Sequence, residues 1–131
     1  MQKMGPTMDE GGAAVSLSFI ASERAIPGYG GGMSTAKAAL ESDTKTLVSE
    51  AGRKYKVRVN TTSAGPLKTR AASATRPGSP GVKGMIEQHI DYSKANSPLN
   101  REMEGSDVGD AAYFLLSPLL CPSVSVSGVT L

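Results

Sequence analysis

Residues 13 to 20 read Ala-Ala-Val-Ser-Leu-Ser-Phe-Ile. Following Gly11-Gly12, this alternation of apolar and small polar side chains predicts a strand with unequal faces. Such a strand delivers Ser18 and Phe19 to its C-terminal end. From Met33 to Gly52 the apolar positions Met33, Ala36, Leu40, Leu47 and Ala51 recur mostly at spacings of three, four or seven, which predicts a helix that Ser34 can cap and Gly52 can stop. A second strand is expected over Tyr55–Ser63, where Val57 and Val59 alternate with Lys56, Arg58 and Asn60, and Ala64-Gly65-Pro66 ends it. A strand, helix, strand unit of this kind is parallel with a right-handed crossover, and ligands of open α/β sheets gather at the carboxyl ends of the strands. Ser18, Tyr29 and Leu67 would then share one crevice.

Beyond Leu67 the pattern loosens. Residues 76 to 84, Arg-Pro-Gly-Ser-Pro-Gly-Val-Lys-Gly, are too rich in Pro and Gly for a regular element and predict a flexible loop between two short helical pieces, placed to cover substrate. Ser106-Asp107 can cap a last helix through Val108, Ala111, Ala112, Leu115 and Leu116, closed by Pro118, and a short strand is expected around Ser127 to Leu131. There is no internal repeat and no boundary implying a second domain.

The chemistry is concentrated in Pro-Gly-Tyr-Gly-Gly-Gly-Met-Ser-Thr-Ala-Lys, residues 27 to 37. Tyr29, in a glycine-rich turn, can donate a phenolic proton to a developing oxyanion; Lys37, at the start of the helix, supplies a positive charge that holds the phenol and favours its charged form. The pair suggests reduction at a carbonyl-conjugated substrate. The glycines at 28, 30 and 32 could also be taken for a phosphate loop, but the strand-to-glycine connection and the downstream acid of a dinucleotide fingerprint are missing, so their place is the tight turn around Tyr29.

Composition narrows the partners. The chain has 131 residues, a formal charge of +2, one Cys and one His. That length fits one modest domain, small for a complete nucleotide-dependent enzyme. Acidic and basic residues are mixed, with no Lys/Arg run and no basic patch with interleaved aromatics, so nucleic acid is not an expected partner. Cys121 has no partner for an intrachain disulfide, and with His89 distant from it no metal site is expected. No apolar stretch is long enough to span a bilayer, and the first residues have neither a basic segment with a hydrophobic core nor an Arg-rich amphipathic pattern.

From Gly11 to Ala74 the sequence strongly resembles the NADH-dependent enoyl-acyl-carrier-protein reductases, especially their plant, algal and apicomplexan plastid branch. The resemblance is carried by Ser-Leu-Ser-Phe-Ile-Ala-Ser-Glu-Arg at 16 to 24, Pro-Gly-Tyr-Gly-Gly-Gly-Met-Ser at 27 to 34, Ala-Lys-Ala-Ala-Leu-Glu-Ser-Asp-Thr at 36 to 44 and Ser-Ala-Gly-Pro-Leu-Lys at 63 to 68. A weaker match runs on through Ile90-Asp91-Tyr92-Ser93, Asp107-Val108-Gly109, Phe114 to Pro118 and Ser127 to Leu131. The seven residues between Tyr29 and Lys37 match the plastid-type spacing.

The resemblance implies the C-terminal part of a Rossmann-type parallel sheet flanked by helices, lacking the N-terminal dinucleotide-binding half. Residues 1 to 131 would be a partial single reductase domain with a substrate-loop region at about 69 to 105. It further implies NADH as cofactor, an enoyl-acyl-carrier-protein as substrate, a homo-oligomer (a tetramer in the family) and a plastid stroma location. Tyr29 would hydrogen-bond the enolate oxygen and Lys37 would bind the nicotinamide ribose. Ser18, Gly65, Pro66, Leu67, Lys68, Thr69, Arg70 and Ala71 would line the cofactor, and Phe19, Tyr29, Met33, Ala71, Ala72 and Thr75 would flank the acyl chain.

Some positions depart from the family. Phe19 stands where many members carry a second tyrosine and receives no acid role; Thr62 and Thr75 replace residues that are usually aliphatic; residues 119 to 126 do not align. Met33 and the Ala/Leu positions of the helix are equally suited to core or subunit interface, and Lys68 and Arg70 to solvated charge. A second function stays open, a non-catalytic half-domain that associates with a full-length reductase.

Overall fold

The computed structural model describes residues 1–131 except 2, 30, 31, 76, 77, 79, 80, 82, 119–126 and 131. Two compact units make up the chain, one of Met1–Ala64 with Gly109–Leu131 and the other of Gly65–Val108.

In the first unit β1 (Ala13–Ser18), β2 (Arg58–Ser63) and β3 (Ser127–Thr130) form a three-stranded sheet in the order β1-β2-β3. β1 lies parallel to β2 from Ala13 opposite Arg58 to Ser18 opposite Ser63, and β2 lies parallel to β3 with a register shift between Thr61 and Thr62. The parallel strand, helix, strand unit is therefore as expected. β1 stops at Ser18 rather than Ile20, because Ile20–Ser22 close a 3-10 turn in which the Ser22 N–H reaches the Phe19 carbonyl at 2.9 Å. β2 begins at Arg58, three residues later than Tyr55, because helix α1 has not yet ended there.

α1 runs Met33–Tyr55. Gly52 does not stop it. The left-handed residue that ends the helix is Lys56, at φ 56, whose N–H returns to the Gly52 carbonyl. Tertiary packing explains the extra turn: Ala51, Val57 and Val59 form the buried core, and Leu47, Val48 and Tyr55 from the last turns of α1 pack on it with Met1 and Met8. The approach is close enough that a Cβ added at Gly5 would come within 2.5 Å of the Tyr55 ring. At its other end α1 begins after Gly32, at φ 88, without a side-chain cap, so Ser34 does not serve as one. The N-terminal part of the expected apolar face is open, with Met33 49% exposed.

What fixes the middle of α1 is polar. Thr44 donates to the Leu40 carbonyl at 2.8 Å, and its oxygen shares a 2.7 Å bond with Thr61, which in turn shares one of 2.8 Å with Ser16. Each hydroxyl has one proton, so the chain runs Ser16 to Thr61 to Thr44 to the Leu40 carbonyl. It ties β1, β2 and α1 together across the buried face.

α4 (Gly105–Leu116) ends against β2. The buried Arg58 guanidinium donates to the carbonyls of Leu115 at 2.7 Å and Ser117 at 2.9 Å, where the helix leaves its last acceptors unsatisfied and its dipole is negative. Ser106 and Asp107 lie within the first turn of α4, not ahead of it. Arg101 donates through both terminal nitrogens to the Asp107 carboxylate at 2.7 and 3.0 Å, and the Glu104 N–H adds a third bond; together they hold Asp107 below the usual carboxylate range.

The second unit carries α2 (Arg70–Thr75) and α3 (Met85–Asn96), the two short helical pieces expected around the Pro/Gly stretch. Much of that stretch, like residues 119 to 126 with Cys121, lies outside the described residues. Thr69 caps α2, its hydroxyl accepting the Ala72 N–H at 3.1 Å. Among the described residues no helix is long and apolar enough to cross a membrane.

Candidate active site

Tyr29 is placed by a turn that the sequence spells out. Its N–H reaches the Ile26 carbonyl at 3.0 Å, with Pro27 at the second position and Gly28, at φ 83, at the third. Pro presets the first central φ and Gly takes the positive one without steric cost. The half-buried Tyr29 ring then meets the Phe19 ring, centroids 4.8 Å apart and planes tilted by 57°. This geometry lies within the favoured range for aromatic pairs. Phe19 is thus the aromatic neighbour of the Tyr29 phenol, just past the carboxyl end of β1.

Lys37 arrives at the same strand end from α1. Its ammonium donates to the Leu17 carbonyl at 2.7 Å. A lysine has three donors, so this bond fixes the ammonium and leaves others for a ligand. One turn further along, Glu41 accepts the Ser22 hydroxyl at 2.6 Å and the Ser18 hydroxyl in a shorter bond. Ser18 is therefore buried, at 4% exposure, with its hydroxyl committed to Glu41.

Glu41 and Ser22 were absent from the residues singled out by sequence. The spacing offered a signal, since Lys37 and Glu41 are four apart and share one helix face, but only the packing of α1 back along β1 brings that face to Leu17, Ser18 and Ser22. An open depression of about 490 Å³ adjoins this corner, lined by Tyr29, Ser22, Arg24, Ile26, Ser34 and Ala38 among others. Lys37 and Ser18 are not part of its wall.

The remaining expected site residues belong to the second unit. Gly65, Pro66 and Leu67 follow β2 as half-buried coil. Lys68 pairs with Glu87 at 3.2 Å, and Glu87 is held below its ordinary range by its own backbone N–H and by Lys68. The hydroxyl of Thr69 is used as the α2 cap, Arg70 and Ala71 are exposed, and Ala72 is half-buried. The Thr75 side chain and the glycines at 30 and 31 lie outside the described residues.

A parallel sheet with its crossover helix is that of a Rossmann-type α/β chain, and Tyr29 and Lys37 both reach the carboxyl end of its first strand. It belongs to the enoyl-(acyl carrier protein) reductase family, whose model matches residues 1–128. The chloroplastic NADH enoyl-[acyl-carrier-protein] reductase 1 of Oryza sativa is 60% identical over 119 residues, 91% of this chain and 30% of that protein. The chloroplastic NADH enzyme of Arabidopsis thaliana is 53% identical over 126 residues, 96% of this chain and again 30% of that protein. Among solved structures, the Plasmodium berghei enoyl-acyl-carrier-protein reductase with triclosan superposes with a TM-score of 0.86 at 46% identity, covering 97% of this chain and 41% of that one. The chain thus spans about 30% of the length of these curated relatives.

Proposed function

We propose that the chain works as the C-terminal half of an NADH-dependent enoyl-acyl-carrier-protein reductase, reducing the double bond of a trans-2-enoyl thioester in fatty acid biosynthesis. The observation that carries this is the grouping at the end of β1, with Tyr29 against Phe19 and the Lys37 ammonium fixed on the Leu17 carbonyl. The names of the rice and Arabidopsis relatives support the substrate, the cofactor and a plastid location. A homo-oligomer, of four subunits as the resemblance implies, completes the proposal, with residues 69 to 105 as the substrate-loop region.

The donor set fits the cofactor. Lys37 offers a fixed cation with spare donors, suited to ribose hydroxyls, and Ser18, Gly65, Pro66, Leu67, Lys68, Thr69, Arg70 and Ala71 are its proposed wall. NADH supplies the hydride for the β-carbon. The task of Tyr29 is to donate a hydrogen bond to the thioester oxygen as negative charge develops there; Lys37 stabilises the same charge through space. Phe19, Met33, Ala71, Ala72 and Thr75 are the proposed lining of the acyl chain.

The test is enoyl-thioester-dependent NADH oxidation by the chain alone and by the chain extended with its own upstream coding sequence, each beside its Tyr29→Phe variant. Loss of one positioned oxyanion donor costs about 10²–10³ in rate. Turnover by the extended protein that falls to that extent in Tyr29→Phe is the expected result; a variant that keeps nearly its full rate removes Tyr29 from the mechanism. Absence of turnover in every preparation points instead to a non-catalytic half-domain that associates with a complete reductase.

A further inference from the structure

We propose that Glu41 is a positioning residue for the Tyr29 phenol, a role that builds on the reductase function just given. Its carboxylate is half-buried on α1, one turn beyond Lys37. It accepts the hydroxyl protons of Ser18 and Ser22, the two serines that bracket Phe19. Ser18 is the last residue of β1 and Ser22 the last of the 3-10 turn, so one carboxylate clamps both ends of the segment on which the Phe19 ring is mounted. The Phe19 ring is in turn the surface on which the Tyr29 ring rests.

Three features make this a directional device. Hydrogen bonds to an ionised carboxylate are shorter and about twice as strong as neutral ones. Lys37 adds a parallel grip on Leu17, the residue before Ser18, so successive turns of α1 hold Leu17, Ser18 and Ser22. The hydrophobic core lies elsewhere, around Ala51, Val57 and Val59. At the β1 exit these polar bonds act beside the buried Ala21. If the clamp is released, Phe19 is free to turn and the phenol loses the ring contact that helps aim it.

The clamp is read without relying on catalysis, by NMR of the chain extended with its own upstream coding sequence and carrying ring-labelled tyrosine, the Tyr29 signals being assigned by their loss in Tyr29→Phe. In the wild type the Phe19 ring current displaces them from those of the exposed Tyr92. In Glu41→Ala they are expected to collapse toward the Tyr92 values, while Tyr55, packed on the core, keeps its shift. Glu41→Gln, which retains an acceptor and the volume, is expected to hold most of the displacement, and Ser22→Ala to give an intermediate shift. Unmoved Tyr29 signals in both Glu41→Ala and Ser22→Ala overturn the proposal, as does equal movement of Tyr55, which would mark a general structural role. Should Glu41→Ala fail to fold, Ser22→Ala decides alone.

In a preparation shown active by the Tyr29→Phe comparison, Glu41→Ala is expected to lower kcat by about tenfold or more, as misplacement of a catalytic group does. An unchanged kcat overturns the role in catalysis. Failure of the reductase function itself would show as inactivity of every preparation, with the tyrosine spectra still reporting on the clamp.

Discussion

Thr62 shows what a single side chain can cost. It is fully buried at 0% exposure in the central strand, and among the described residues its hydroxyl has no hydrogen-bond partner. Its neighbour Thr61 sits in the same strand with its hydroxyl bonded on both sides, to Ser16 and Thr44. Adjacent strand residues face opposite ways, so identical chemistry is satisfied on one face and stranded on the other. Thr62→Val keeps the shape and removes the unpaired group. It should raise the free energy of unfolding by about 1 kcal/mol in urea denaturation; equal or lower stability would mean that the hydroxyl is satisfied after all. The sequence had marked Thr62 as a departure from a usually aliphatic position, and the burial supplies the reason an aliphatic side chain suits it. Tyr29 was legible at this scale too, because Pro27-Gly28 encodes its turn locally. Glu41 was not, because nothing local says what a helix face will meet.

At the level of elements, Arg58 joins β2 to α4. By alternation it was one of the polar positions of a half-buried strand, yet it is 8% exposed and spends its guanidinium on the last carbonyls of a helix more than fifty residues away. A planar fork with several donors can satisfy such acceptors together, which a single ammonium or an apolar chain cannot. Arg58→Met should lower stability by about 1.5–3 kcal/mol and Arg58→Lys by less, read from urea midpoints at constant slope. No loss in the Met variant would show that water replaces the cap without cost. α1 makes the same point about boundaries. Gly52 carried the local stop signal, but Tyr55 gains core contacts by one more turn, and packing outweighs the small propensity cost of an interior glycine.

At the scale of the whole chain, the ordering β1-β2-β3 leaves β1 at an edge of the sheet among the described residues, and its Leu17 is 48% exposed. Edge strands with apolar side chains are templates for pairing with other chains. The isolated chain is expected to sediment as a mixture of sizes at micromolar concentration, and Leu17→Lys to shift it toward the monomer without changing its far-UV circular dichroism. A wild-type chain that stays monomeric over that range would show the edge to be protected. The same edge would suit the half-domain alternative, in which a partner covers β1.

The sequence by itself determined the parallel strand, helix, strand unit, the turn that presents Tyr29, the placing of Lys37 on the following helix and, through long matched segments, the family. Those signals are local: alternation, helical spacing and the φ preferences of Pro and Gly act over a few residues. Only the tertiary structure decided that Glu41 grips Ser18 and Ser22, that Arg58 caps α4, that α1 overruns Gly52 and that Thr62 is buried. Each depends on which faces meet when α1 and α4 pack on the sheet, a long-range outcome that no short window of sequence encodes.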